Sequence, residues 1–280
     1  MRILYTLLII SILGNLFGAF VLYKYFQKDK TLQATFGILE DKTRALEEVN
    51  RRLDPRLVFV HHSVGRNWLN DGLRDSLIAR GIAVRSVTRG APLGEETDMC
   101  HWVPKFREGL DQIIRFDQPP AQPLAGSQEN RIIMFKSCYP NSNITAGDEG
   151  AGSATDAAAT LANYRAVMAE LEPLFAEHDT KQFVYVTAPP LVADKTTPEN
   201  AARARHFNEW MKTDFLAQYR ERTGKNNLLV FDLFDVLADP SSNTLKTAYQ
   251  RGPGDSHPNL AGNRAATTAF MAFLDQHGIE

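Results

Sequence analysis

The sequence predicts an α/β fold in which a parallel sheet of about five strands lies between layers of helices. Short apolar runs alternate with helical segments from Arg56 to the C-terminus. The runs hold about five apolar residues, as in strands that are buried on both faces of a sheet. Right-handed crossovers bring the carboxyl ends of such strands to one edge. Because ligands bind at that edge, we expect reactive residues to follow strands.

Each element has a local signal. Gly81 and Gly224 follow helical segments as C-caps, and Pro189-Pro190 stops the fourth strand. Strands are expected at 57–60, 82–87, 131–135, 182–187 and 227–232. Helices are expected at 67–80, 106–116, 156–178, 199–222 and 260–277.

The N-terminus predicts a membrane anchor over residues 1–26. Ile3 to Leu22 is an uncharged run that reaches about 30 Å as a helix, which is the thickness of a bilayer core. A cleaved signal peptide is the alternative, but Gly18-Ala19-Phe20 is a poor cleavage site. Residues 27–55 are expected to form a helical stalk that ends at Asp54-Pro55. The domain at 56–280 is expected outside the cytoplasm, although flanking charges do not decide the orientation.

Charge and composition exclude some functions. Lys and Arg number 31 against 33 Asp and Glu, so there is no excess of positive charge for nucleic acid. Cys100 and Cys138 lack a metal-ligand spacing, and both a disulfide and two buried thiols remain open. A metal site at His61-His62 is disfavoured, because adjacent side chains of an extended segment point to opposite sides. We therefore expect neither a metal nor a cofactor.

Polar clusters stand where the predicted strands end. Ser63 follows the first strand, a Lys136–Asn143 cluster follows the third, and Gly252–Asn259 precedes the last helix. A serine nucleophile needs a base and a group that orients the base, roles that His257 and Asp255 can take. Each residue also has a plain structural interpretation, since Ser63 could be only a helix N-cap and Asp255 only a turn residue.

Two motifs resemble the SGNH/GDSL hydrolases, a superfamily of esterases and lipases. The stretch F-V-H-H-S-V-G-R-N-W-L contains Ser63 where that family has its nucleophile. The stretch G-D-S-H-P-N-L-A-G contains His257, Pro258 and Gly262 of the closing block. The segment order agrees from Leu57 to the C-terminus. The resemblance implies a flavodoxin-like three-layer α/β/α sandwich, with Ser63 as nucleophile and His257 as general base.

The chain also departs from the family pattern. His61-His62 replaces Gly-Asp, and the acidic residue expected three before the histidine is Gly254, so Asp255 or a Ser–His dyad is implied. K-S-C-Y-P-N-S-N stands in place of the oxyanion-hole block. The resemblance therefore implies several oxyanion donors. Gly90 is preferred to Gly94 because it follows strand 82–87 most closely, whereas Asn141 or Asn143, with Ser137 as a substitute, remain open.

The residues of a loop near the site indicate the kind of substrate. Asp98 and Trp102 could hold a sugar by hydrogen bonding and stacking, or could be a loop acid and a core tryptophan. Lys136 could bind an anionic substrate, and His62 adjoins the nucleophile. We expect a serine esterase acting on an O-acyl group of a carbohydrate or cell-envelope component. An O-acyltransferase with the same triad, and a non-catalytic anchored glycan-binding module, are the alternatives.

Overall fold

The computed structural model describes residues 28–30, 32–42, 44–91, 93–117, 129–147 and 150–279. The chain divides between Arg52 and Leu53 into two units, each of which is described by itself. In the first unit, the described residues between 28 and 52 are helical, and we call this segment α1. No helix of the described residues is long and apolar enough to cross a membrane. The span predicted at Ile3–Leu22 lies outside these residues.

A five-stranded parallel sheet forms the centre of the second unit, as the sequence predicts. Its strand order is β2-β1-β3-β4-β5, the flavodoxin-like order. The strands lie within one residue of the predicted bounds at each end: β1 Arg56–Val60, β2 Ala83–Val87, β3 Ile132–Phe135, β4 Gln182–Val186 and β5 Leu228–Phe231.

The register of the sheet determines where the polar clusters meet. Val60, the last residue of β1, is paired with Val87 at the end of β2 and with Phe135 at the end of β3. Three neighbouring strands therefore end at the same level. The segments that begin at His61 and Lys136 leave this edge side by side.

Helices cover both faces of the sheet. Their bounds are α2 Ser63–Trp68, α3 Arg74–Ala79, α4 Trp102–Ile114, α5 Leu161–Glu177, α6 Pro198–Trp210, α7 Leu216–Thr223, α8 Leu233–Leu237 and α9 Leu260–Gln276. A kink at Leu69–Leu73, where Asp71 and Gly72 (φ 125°) leave the helical conformation, joins α2 to α3. A wide π-helical turn at Met211–Phe215 joins α6 to α7.

Two aromatic clusters fill the space between the layers. On one face, Trp68 of α2 and Phe270 of α9 pack against Phe231 of β5, with ring centroids 5.9 and 4.9 Å from it. On the other face, Phe106 of α4 lies 5.0 Å from Phe135 of β3. Alternate residues of each strand face opposite layers, which explains why the strands are mostly apolar.

Several of the predicted helix starts were wrong. The helix predicted from Asn67 begins four residues earlier, at Ser63, directly after the strand. The helix predicted from Asp156 begins only at Leu161, because the Thr160 hydroxyl accepts a hydrogen bond from the Asn163 amide and caps it there. Gly224, with a φ of 68°, ends α7 as predicted.

Candidate active site

The buried residue His61 holds the peptide that leads into Ser63. The ring of His61 is fully buried, and its Nδ1 lies 2.7 Å from the carbonyl oxygen of His62. Because a carbonyl only accepts, Nδ1 carries the proton and donates it. The hydroxyl of Ser86 then donates to Nε2 at 2.9 Å. The imidazole thus links β1, β2 and the turn that contains the serine.

This buried imidazole is neutral. Burial lowers the pKa of His61 to about 3, although the hydrogen bond to the His62 carbonyl acts in the opposite direction. Lys136 lowers the pKa further by electrostatic repulsion. His61 is therefore a structural support of the turn that contains Ser63 and carries no charge near neutral pH.

Gly65 makes room for the His61 ring. A Cβ atom at position 65 would lie 2.5 Å from both Cβ and Cγ of His61, which is too close for any side chain. The first turn of α2 can therefore lie against the imidazole only if it contains glycine at this position. The first and last members of the motif His-His-Ser-Val-Gly thus share a packing role.

His257 lies on a loop that several hydrogen bonds hold in place. The buried Ser256 hydroxyl accepts a hydrogen bond from the Val192 amide at 3.1 Å. The Asn259 side chain caps α9 by accepting from the Gly262 amide, and its own amide group donates to the Ala248 carbonyl. These contacts lie on both sides of His257, so its backbone is fixed.

Ser63, His257 and Asp255 form a continuous hydrogen-bonded chain. The Oγ atom of Ser63 lies 2.8 Å from Nε2 of His257. On the other side of the ring, Nδ1 lies 2.6 Å from Oδ1 of Asp255, and that oxygen also accepts the His257 backbone amide at 2.9 Å. A residue only two positions before the histidine can therefore hold the ring, in the tautomer that leaves Nε2 free to accept the serine proton.

The carboxyl group of Asp255 is stabilised as an anion. Partial burial alone would raise its pKa, but the hydrogen bonds from the backbone and ring of His257 outweigh burial, and its pKa lies below the usual value. A charged carboxylate beside Nδ1 holds the imidazole with Nε2 directed at Ser63. The geometry thus supports a base that can accept a proton from Ser63.

Two further residues, Cys138 and Tyr139, lie against the hydrogen-bonded side chains of Ser63 and His257. They were not among the site residues predicted from the sequence. The Sγ atom of Cys138 is 3.7 Å from the Oγ atom of Ser63. The ring of Tyr139 meets the His257 ring edge-on, with centroids 5.0 Å apart. Their position directly after β3, at the same edge as Ser63, was the signal that could have identified them.

Asn141 is engaged within the loop and has no free N–H group for an oxyanion. Its Nδ2 atom donates to Oδ1 of Asp98 at 2.7 Å and to the Cys138 carbonyl, while its Oδ1 accepts the Met99 amide at 3.0 Å. Asn141 therefore joins the loop before α4 to the turn after β3. Asp98, which was expected to bind substrate, is one of its partners.

Of the other predicted oxyanion donors, Asn143 is held through its side-chain oxygen and Gly90 through its amide. The Oδ1 atom of Asn143 accepts from the Thr196 hydroxyl at 2.9 Å and from the Asn200 amide, and these contacts do not use its Nδ2 donor. The amide of Gly90 donates to Oε1 of Glu95 at 2.8 Å. By contrast, the N-terminus of α2 has no side-chain cap from His62, the residue that precedes the helix.

Trp102 belongs to the core, which corrects its assignment to substrate binding. Its side chain is fully buried, packs 5.0 Å from the Phe135 ring, and donates from Nε1 to the Ser137 hydroxyl at 2.9 Å. A fully enclosed ring cannot stack on a sugar. Ser137 is likewise occupied as the acceptor of the indole.

Lys136 and His62 each carry a buried nitrogen that has no hydrogen-bond partner among the described residues. These atoms are Nζ of Lys136 and Nε2 of His62. Lys136 is fully buried, and burial lowers its pKa. Burial, followed by the charge of Arg89, lowers the pKa of His62. In this conformation a substrate in solvent does not reach the Lys136 side chain.

The two cysteines are separate thiols. Neither Cys100 nor Cys138 is in a disulfide, which answers the question that the sequence left open. Within the part of the chain that the structure describes, no three His, Cys, Asp or Glu side chains are grouped as ligands for a metal ion.

Comparison with known proteins finds similar solved structures at low identity. A proposed acylhydrolase from Bacteroides fragilis is 14% identical over 81% of this chain and 93% of its own, with a TM-score of 0.47. A GDSL-like lipase from Bacteroides thetaiotaomicron is 11% identical over 84% and 97%, with a TM-score of 0.45. A family two carbohydrate esterase from Cellvibrio japonicus is 14% identical over 80% and 61%, with a TM-score of 0.40.

The chain matches no family model and no curated protein. Its strand order agrees with the fold that the motifs implied. The TM-scores of the similar structures lie below 0.5, so these structures carry no argument about this chain. Function is therefore argued from the geometry around Ser63.

Proposed function

We propose that this protein is a serine esterase in which Ser63 is the nucleophile, His257 the general base and Asp255 the group that orients the base. The observation that supports this most strongly is the continuous hydrogen-bonded chain from Oγ of Ser63 through both ring nitrogens of His257 to Asp255. A serine hydroxyl becomes nucleophilic when a base of this kind accepts its proton.

The reaction proceeds in two halves. Ser63 attacks the ester carbonyl while its proton moves to Nε2 of His257, and a tetrahedral intermediate forms. His257 then gives this proton to the leaving alcohol as the C–O bond breaks, which leaves an acyl group on Ser63. Water, activated in the same way by His257, releases the acid and restores the serine. Asp255 stabilises the imidazolium in both halves.

The oxyanion of the intermediate is bound by the first amides of α2. These N–H groups point out of the helix N-terminus, where the partial positive charge favours an anion, and no side chain caps them. Asn141 does not bind the oxyanion, because its amide group already donates a hydrogen bond to Asp98. Backbone amides thus take the place of an Asn141 donor in this chain.

The substrate is an O-acyl group on a carbohydrate or another component of the cell envelope. Tyr139, half-buried and in edge contact with His257, takes the role of aromatic wall that was predicted for Trp102. Ser63, His257 and Asp255 are also only partly buried, which suits an ester displayed on a large molecule. The apolar run at Ile3–Leu22 would hold the enzyme at a membrane near such a substrate.

A comparison of Ser63→Ala with Ser76→Ala tests this proposal. Ser76 lies half-buried on α3 and serves as a matched control. Ser63→Ala should abolish turnover of an aryl acetate and labelling by a fluorophosphonate, while circular dichroism and the melting temperature stay unchanged. Ser76→Ala should keep both activities. Turnover of Ser63→Ala at the rate of the unmodified protein would exclude Ser63 as the nucleophile.

A further inference from the structure

Apolar side chains exposed on α1 distinguish this helix from the rest of the described chain. Of the six large apolar residues that are exposed in the described ranges, five lie on α1, and Leu260 is the sixth. Leu32, Phe36 and Leu39 are 52, 56 and 58% exposed. An apolar surface of this kind on a helix marks a site of interaction with another surface.

These residues follow a heptad spacing. Phe36 stands four residues after Leu32, Leu39 stands three residues after Phe36, and Leu46 lies one full heptad after Leu39. In a heptad labelled a to g, Phe36 takes an a position and the three leucines take d positions. We call these four residues the stalk seam.

We propose that the stalk seam pairs with the stalk seam of a second copy of this chain, as a parallel two-stranded coiled coil. Leucine at successive d positions is typical of such dimers. Val49 occupies a g position, at the edge of the seam, and Ile38 lies outside it. The seam ends before Asn50, because the Asn50 side chain is already buried within a single chain.

Charge complementarity specifies both the partner and its direction. Lys42 takes a g position and Glu47 the following e position, and these two positions face each other across a parallel dimer. Both side chains are exposed, and neither forms an ion pair with another described residue of its own chain. An antiparallel pair would instead set e positions against each other, which brings Glu40 and Glu47 together.

Pairing of the stalk seam is independent of the proposed esterase activity, because it concerns α1 alone. Self-association through α1 would join two copies of the chain near their N-termini. The seam is short, with about two heptads, so the association should be reversible and should depend on the protein concentration.

Cysteine cross-linking of the full-length chain in detergent micelles tests the pairing. Phe36→Cys places a thiol in the seam, and Ala34→Cys places one on the opposite side of α1 as a matched control. Both variants retain Cys100 and Cys138, so the background is equal. Mild oxidation should convert most of Phe36→Cys to a disulfide-linked dimer and leave Ala34→Cys at the level of the unmodified chain. Equal cross-linking of the two variants would overturn the proposal.

A charge exchange supplies a second measurement that does not depend on a new thiol. Lys42→Glu should raise the dimer dissociation constant about fivefold in sedimentation equilibrium, because two ion pairs become repulsive contacts. Adding Glu47→Lys to this variant should restore the original value. A chain that sediments as a monomer at every concentration, or as a trimer, would also overturn the proposal.

Discussion

Acidification should destabilise the fold through the buried ring of His61. In the folded protein burial lowers the pKa of this ring from 6.5 to about 3, so the folded state does not take up a proton between these values. The unfolded chain does take one up below pH 6.5. The contribution of the His61 ring to stability is therefore fully present above its pKa in the unfolded chain, and it is lost as the pH falls towards its pKa in the folded protein.

The magnitude follows from the size of this interval. Each pH unit between the two pKa values lowers the free energy of unfolding by about 1.4 kcal/mol. At about pH 5 the loss is therefore about 2 kcal/mol relative to neutral pH. For a domain of this size, that corresponds to a fall of about 4–8 °C in Tm. The variant His61→Gln should lack this component, because a glutamine amide donates to the His62 carbonyl without titrating.

The assay is thermal unfolding of the unmodified chain and of His61→Gln at about pH 8 and about pH 5. His206→Gln, a change at an exposed histidine on α6, is the control. The unmodified chain and the control should lose about 2 kcal/mol more than His61→Gln between the two pH values. If all three proteins lose the same free energy, the assignment of the acid sensitivity to His61 is refuted.

Three further predictions concern single substitutions. Asp255→Asn should lower kcat for an aryl acetate by about 10²–10⁴, since the amide does not hold the imidazole in its working tautomer; an unchanged kcat would favour a Ser–His dyad. Gly65→Ala should cost about 1–3 kcal/mol in urea unfolding, because its Cβ meets His61, whereas Gly109→Ala has room and should not. Lys136→Met should raise the free energy of unfolding by about 1–3 kcal/mol by removing a buried, unpaired donor; a loss would reveal a partner for Nζ.

Much of the fold follows from local sequence signals. The strands are short, mostly apolar runs, and each lies within one residue of its predicted bounds because burial on both faces favours apolar residues along most of a strand. Helix starts were harder to predict. Ser63 begins α2 without a side-chain cap, and the irregular segment before Leu161 resembles a helix in composition.

The juxtaposition of Ser63 and His257 was also predictable. Ser63 follows a strand and His257 precedes the last helix, and parallel topology brings such segments to one edge. The motif around His257 contains its own supports, Ser256 and Asn259, within two residues. The sequence therefore determined that Ser63 and His257 meet, because both the topology and the local loop chemistry are encoded close to each residue.

Only the tertiary structure decided the surroundings of that pair. Trp102 could be an exposed platform or a core residue, and its enclosure depends on Phe135, which is distant in sequence. Asn141 could be an oxyanion donor or a loop support, and its partner Asp98 comes from another segment. A polar or aromatic side chain has several possible partners, and which one it meets depends on packing between segments that no local pattern records.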